Sequence, residues 1–217
     1  TGQNNLGYMF AEGRGVAQND VEAVRWYRRA VAQGEAAGQN NLGYMFAEGR
    51  GVPQNDAEAV RWYRRAAEQG YVLAQANVGY MYRVGRGVTQ NDAEAVRWYR
   101  LAAVQGHAVA QVNLGGLYQA GLGVPQNDAR AVRWYRLAAD QGSAVAQLQL
   151  GLRYRDGRGV TQDNETAHMW FNLAASRDTG DIRDDAVTNR DRVAAGMTPR
   201  QIVEAQRRAL EWHEAQP

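Results

Sequence analysis

Residues able to grip another chain recur in this sequence at a fixed step. One row reads Asn5, Asn41, Asn77 and Asn113, then Gln149, each 36 positions after the last. A primary amide donates and accepts at once, so a regular row of amides can hold the backbone of an extended peptide. Beside it runs Tyr8, Tyr44 and Tyr80, replaced by Gly116 and Leu152 in later copies. Tyrosine adds rigid, amphipathic contact area. Two flanking positions vary: Ala11, Ala47, Arg83, Gln119 and Arg155 at one, Glu12, Glu48, Val84, Ala120 and Asp156 at the next. The face so defined is acidic and aromatic towards the N-terminus and mixed towards the C-terminus. The predicted partner-binding set is Asn5, Tyr8, Glu12, Asn41, Tyr44, Glu48, Asn77, Tyr80, Arg83, Asn113, Gln119 and Gln149. The bland alternative is that the Asn residues only bond neighbouring repeats and that the varying positions drift on an exposed surface.

Other chemistry is poorly supplied. The chain has no Cys and no Lys, which removes thiolate nucleophiles and Schiff-base amines. Its three histidines, His107, His168 and His213, are scattered and lie at no metal-ligand spacing. No carboxylate dyad is suggested, so neither catalysis nor a metal or cofactor is predicted. Gly-Arg-Gly-Val loops resemble a phosphate loop only superficially: the Gly-Lys-Ser/Thr end is missing and no strand precedes them. They read as helix-capping turns.

Arginines form two rows, Arg25, Arg61, Arg97, Arg133 and Arg28, Arg64, Arg100, Arg136. Glu22, Glu58 and Glu94 stand three positions before the first row and can pair with it. The neighbouring Trp and Tyr are expected to point inward, and the net charge is only +2. Nucleic acid is therefore not an expected partner, and a solvated face is the simpler reading.

What must position all this is a repeat. Trp26, Trp62, Trp98, Trp134 and Trp170 set its length, and two glycine series (Gly13 onwards and Gly15 onwards) keep the same step. Periods of this size are the signature of stacked solenoids. Within residues 73–106, Ala74, Val78 and Tyr82 lie on one helical face, and Gly85 is placed to end that first helix in a left-handed cap. Opposite Val78 lie Ala76, Tyr80 and Arg83. A mid-helix glycine costs about 1 kcal/mol against Ala, so Gly7, Gly43, Gly79, Gly115 and Gly151 call for close helix–helix approach. Val88 should plug the loop into the core. A second helix starts at Asn91, with Glu94 completing a capping box, and buries Ala95, Trp98, Tyr99, Ala102 and Ala103. Nothing alternates with period two, so no sheet is expected. No apolar run is long enough to span a bilayer.

The pattern AQ-x-NLG-x-MY-x-x-GRGV-x-QN-x-AEAV-x-WY-x-x-AA-x-QG closely resembles the Sel1-like repeat, a relative of the tetratricopeptide repeat. The likeness covers residues 2–175. It implies an all-α, right-handed α/α superhelical solenoid of helix–turn–helix repeats, with first helices on the concave face and second helices on the convex one. It also implies a scaffold or adaptor that binds a protein or peptide. The alternative it allows is a structural or regulatory arm of a larger envelope or secretion-associated complex. A bacterial periplasmic or secreted setting follows from the same resemblance, with the cytoplasm left open. Two departures stand out. Some relatives carry a disulfide per repeat and this chain has none. Gly2 and Gly38 replace the Ala of later copies, which should weaken the first helix there. Residues 2–16 are identical to 38–52, and the chain starts inside a repeat, as a fragment of a longer protein would.

The period fails after Ala175, so 1–176 is read as repeats and 177–217 as C-terminal capping helices. One helix is predicted over 181–195, with Ile182, Ala186, Val193 and Ala194 inward. Gly196 stops it. Thr198, Pro199 and Gln201 then start a last helix, burying Ile202, Ala205, Ala209 and Trp212. A solenoid exposes an apolar end unless something covers it.

Overall fold

In the computed structural model, residues 2–215 are described, and they form twelve α-helices with no strand among them. The helices pair as α1 (Gly2–Glu12) with α2 (Asp20–Ala32), α3 (Ala36–Glu48) with α4 (Asp56–Glu68), α5 (Val72–Val84) with α6 (Asp92–Val104), α7 (Ala108–Ala120) with α8 (Asp128–Ala139), and α9 (Ala144–Asp156) with α10 (Asn164–Arg177). Two more follow, α11 (Asp181–Ala194) and α12 (Pro199–Glu214). They fall into two compact units, one up to Gln105 and one from Gly106.

Each pair is held by one repeated contact. A Cβ built on Gly7, Gly43, Gly79 or Gly115 would lie 2.6–2.8 Å from the ring of Tyr27, Tyr63, Tyr99 or Tyr135, and one on Gly151 would overlap Phe171. The first helix thus carries a notch into which an aromatic ring of the second helix seats. This meets the demand for close approach, with a Tyr ring of the same repeat as the partner. Around the ring, Ala23, Val24 and Tyr27 pack with Leu42 and Met45, and Ala59, Val60 and Tyr63 with Ala74, Val78 and Met81. Repeats of the first unit therefore share side chains across their junctions.

The loops do more than cap. Gly49, Gly85, Gly121 and Gly157 end their helices at φ 64–72°, as left-handed C-caps. Where the next residue is arginine (it is Leu122 in the fourth repeat), that arginine reaches back 30 residues. Arg50 donates to both oxygens of Asp20 (3.2 and 2.7 Å) and to the Ala11 carbonyl (2.6 Å). Arg86 repeats this on Asp56 (3.3 and 2.7 Å) and Ala47 (2.9 Å). In the second unit Arg158 approaches Asp128 at 3.3 Å. Bidentate guanidinium–carboxylate pairs are strong and directional. The second loop glycine, Gly51 or Gly87, lies so close to the backbone of that same Asp that no Cβ fits. Val52 and Val88 pack against the cores as expected.

The second helices are capped by half a box. Asn19, Asn55 and Asn91 accept from the amide three residues on at 3.1 Å. The glutamates do not return the bond. Glu22, Glu58 and Glu94 instead pair with Arg25, Arg61 and Arg97 at 2.5, 3.3 and 3.3 Å. Tyr27, Tyr63, Tyr99 and Tyr135 are buried, as are Trp98 and Trp170. Trp26, Trp62 and Trp134 are only half-buried, so the inward reading fails for them. Arg29 lies over Trp26 and Arg65 over Trp62.

Gly38 does not shorten its helix: α3 has 13 residues, as does α5. A Cβ there would meet Ala30 at 2.6 Å, so the glycine lets α3 settle on α2. In the second unit, α11 and α12 both pack on α10. Ala186, Val193, Ala205 and Ala209 are buried; Ile182, Ala194, Ile202 and Trp212 are half-buried. Trp212 meets Trp170 edge-on at 5.7 Å. Thr198 and Gln201 form the full capping box, with Pro199 at the first helical position.

Two predictions follow from the helix contacts. Gly115→Ala forces a methyl into Tyr135 and should lower the unfolding free energy by about 1–3 kcal/mol despite its better helix propensity. Its neighbour Gly116→Ala meets nothing nearer than 3.8 Å and should raise stability by about 0.5–1 kcal/mol; urea titration of both variants reads the contrast. The second concerns His107, whose Nδ1 accepts from the Ala110 amide at 3.2 Å as the cap of α7. Burial lowers its pKa from 6.5, so the unfolded chain binds the proton better. Stability is complete above that value and is lost as pH falls through the lower folded value. His168 is shifted the same way, by burial and then by Arg190. His107→Ser should therefore shrink, without abolishing, the loss of thermal stability on acidification.

Candidate functional site

The predicted face is most complete in the first unit, on α1, α3 and α5. Its asparagines are partly spent. Asn41 Nδ2 donates to Asn4 Oδ1 at 2.9 Å, and Asn77 Nδ2 donates to Asn40 Oδ1 at 3.0 Å. Asn40 Nδ2 in turn approaches Asn41 Oδ1 at 3.3 Å. The row is therefore a zipper between successive first helices, as the bland alternative had it for Asn41 and Asn77. Asn40 is buried, Asn41 and Asn77 are half-buried, and Asn5 is exposed. Each donor amide keeps a second N–H that these bonds do not use.

The tyrosines stand differently. Tyr8, Tyr44 and Tyr80 are 42, 45 and 47% exposed at equivalent positions of three successive first helices. Arg14 lies 5.2 Å from the Tyr8 ring centre and Arg50 6.0 Å from that of Tyr44. The Arg50 guanidinium is held charged by its hydrogen bond to Asp20, against a smaller penalty from burial. Glu12 and Glu48 are exposed beside the rings; Glu12 is 3.7 Å from Arg50. Arg83 is 3.4 Å from Asp92. Ala76, predicted outward, is buried at 8% exposure.

In the second unit the set is thinner. Asn113 and Gln149 are half-buried. Gln119 Oε1 accepts from the Tyr135 hydroxyl at 2.8 Å. Buried Arg153 lies 3.5 Å from Asp128, and Arg155 pairs with Asp156. Two clefts open elsewhere in this unit. One, of about 470 Å³, lies between α10 and α12 beside Leu173, Arg177, Leu210 and His213. The other, of about 310 Å³, lies on α8 beside Arg130, Arg133, Trp134 and Leu137, with Tyr118 at its back. No group of three His, Asp or Glu that could share a metal ion is found among the described residues. No helix among them is long and apolar enough to cross a membrane.

Sequence reasoning missed a second amide network. Gln69 donates to Gln39 at 2.7 Å, Gln105 to Gln75 at 2.8 Å and Gln141 to Gln111 at 2.8 Å, while Gln75 donates to the Ala67 carbonyl at 3.3 Å. Its signal was in the 36-residue step of Gln39, Gln75, Gln111 and Gln147, which put a buried polar side chain in four of the five copies.

Five consecutive segments, 1–35, 36–71, 72–107, 108–143 and 144–178, match the model of the Sel1 repeat. No curated protein sequence matches the chain. Among solved structures, a protective antigen of uropathogenic Escherichia coli with an SLR fold is 37% identical, with a TM-score of 0.83 over 96% of this chain. The chain spans 45% of that antigen's length. A Sel1 repeat protein from Oxalobacter formigenes is 38% identical, with a TM-score of 0.77 over 82% of this chain and 73% of its own. An immunity protein from Pseudomonas aeruginosa is 17% identical, with a TM-score of 0.54 over 94% of this chain and 81% of its own. That last likeness bears on the fold alone.

The zipper makes a prediction. Asn77→Ala removes the donor to a buried acceptor and should cost about 1–3 kcal/mol. Asn5→Ala, at an exposed position, should change stability by less than about 0.5 kcal/mol. Paired denaturation curves distinguish a structural ladder from a free one.

Proposed function

This chain belongs to the Sel1 repeat family, and we propose that it is an interaction scaffold that binds a protein segment along the tyrosine face of its first unit. Sel1 repeat proteins generally mediate protein–protein interaction, and a stack of such repeats supplies an extended binding surface. One observation carries the choice of face. Tyr8, Tyr44 and Tyr80 repeat with nearly equal exposure on successive first helices whose spacing the Asn zipper fixes. Exposed aromatic rings recurring in register are contact area that packing within the chain leaves unused, and Tyr is among the residues that dominate interface energies. Glu12 and Glu48 beside them favour a segment that brings basic or amide groups to the rings.

The asparagines enter this reading mainly as the frame. Asn5 and the second N–H groups of Asn41 and Asn77 can add hydrogen bonds to a bound backbone, with Arg83 at the far end of the face. Asn113, Gln119 and Gln149 would extend such contacts with fewer aromatic anchors. The alternative reading is a structural or regulatory arm of a larger assembly.

The test uses tyrosines, because Asn variants would disturb the stack itself. Tyr44→Ala with Tyr80→Ala should fold, as judged by helical circular dichroism, and should lose at least about tenfold in affinity for proteins retained by the wild-type chain. Undiminished retention by the double variant would remove this face from the function. Retention that survives it and depends instead on other subunits of one stable complex would favour the arm.

A further inference from the structure

The fourth repeat breaks a rule that the first three keep. On α2, α4 and α6 a glutamate and an arginine three residues apart neutralise each other: Glu22 with Arg25, Glu58 with Arg61, Glu94 with Arg97. On α8 the glutamate position holds Arg130. Arg133 is thereby deprived of its carboxylate, and a second guanidinium stands where that carboxylate would be. No ion pair involves either residue among the described residues. The placement is also locally unfavourable, because the first turn of a helix favours negative charge.

The covering arginine is absent here too. Arg29 and Arg65 cover Trp26 and Trp62, but the equivalent positions of the third and fourth repeats are Leu101 and Leu137, the latter 47% exposed. Beside Leu137 the half-buried Trp134 lines the cleft of about 310 Å³, together with Arg130, Arg133 and Tyr118. Arg130 lies 5.6 Å from the Tyr118 ring centre, which holds its flat guanidinium at the cleft wall. Arg136, further along α8, does not contribute, since it donates to the Tyr154 hydroxyl at 2.8 Å and lies over Trp170 at 4.8 Å.

We propose that this cleft is a second binding site, for an acidic peptide segment whose Asp or Glu carboxylates supply in trans the partner that Glu22, Glu58 and Glu94 supply in cis. The carboxylate, rather than another anion, is indicated by the three intact copies: at this helix position the Arg25, Arg61 and Arg97 side chains already bind a carboxylate. Trp134 and Leu137 offer apolar contact to the segment's neighbouring side chains. The site is separate from the tyrosine face and does not depend on it.

Fluorescence anisotropy with a fluorescein-labelled, Glu-rich dodecapeptide tests this on the whole chain, with the Gln-for-Glu peptide as control. The wild type should bind the Glu peptide at least about tenfold more tightly than the Gln peptide, and this preference should fall as salt rises. Arg130→Glu restores the residue of the other repeats, so it should fold at least as stably and lose at least about tenfold in affinity. Arg133→Gln should lose several-fold, and Arg61→Gln, at a self-paired site, should change nothing. Equal binding by wild type and Arg130→Glu overturns the proposal, as does equal binding of the two peptides. Displacement of the peptide by inorganic phosphate but not by acetate at equal concentration also overturns it, in favour of a phosphate ligand.

Discussion

Everything else in this molecule depends on the seating of an aromatic ring in a glycine notch. With no Cβ at Gly7, Gly43, Gly79, Gly115 or Gly151, the second helix of each repeat comes within one ring thickness of the first. That distance decides which side chains are core and which are surface. Each notch costs about 1 kcal/mol in helix propensity, and burying most of a Tyr ring offsets it. The hydroxyls of Tyr27, Tyr63, Tyr99 and Tyr135 are pushed up in pKa, Tyr27 to about 12, chiefly by burial. They stay neutral under ordinary conditions and act as packing elements. Between repeats of the first unit the governing contact is polar: the loop arginine, Arg50 or Arg86, binds the first turn of the preceding second helix and the last turn of the preceding first helix together. Apolar seating sets the repeat and a charge clamp sets the stack.

The elements were legible because each is written five times. Gly85 as a left-handed cap, Asn91 as an N-cap, the Ala95–Ala103 stripe and the Thr198 box all rest on local rules, and local rules act within a few residues. Glu94 had two local roles open to it, a capping box with Asn91 and an ion pair with Arg97, and the full opposite charge of Arg97 wins. What was missed lay at longer range. The loop arginine looked idle because its carboxylate is 30 positions back in the chain. Asn41 and Asn77 were ambiguous in principle. An outward amide and an amide bonded to the next helix leave the same periodic trace, and only coordinates tell Asn4 and Asn40 apart from solvent. Ala76 shows a smaller version of this: helix geometry placed it opposite Val78, but so small a side chain is covered by its neighbours.

Periodicity itself therefore carries two messages that must be separated. A residue retained at every copy is retained for stacking if its partner is also retained, as with Gln39 and Gln69 or Asp20 and Arg50. It is available to others if nothing in the chain uses it. Tyr8, Tyr44 and Tyr80 come nearest the second condition. Their rings are nearly half open, although Arg14 and Arg50 lie over Tyr8 and Tyr44 and Arg50 and Arg86 also bond Tyr44 and Tyr80.

A break in the period is informative for the complementary reason. Where Arg130 replaces glutamate, the sequence gives up an ion pair and opposes a helix dipole, and the packing around Ala131, Val132 and Tyr135 is unaffected because those residues remain buried. Exposed ion pairs on a helix stabilise it by only about 0.3–0.5 kcal/mol, so the fold tolerates the exchange easily. The same exchange reverses the local charge from a neutral pair to two adjacent cations beside Trp134, which is a large change in what that surface attracts. Small stability consequences and large recognition consequences at one position are the combination by which a repeat protein differentiates a surface without disturbing its scaffold. In this chain the two chemically distinct surfaces sit where stacking places the fewest demands, on outward tyrosines of the first helices and on the first turn of α8.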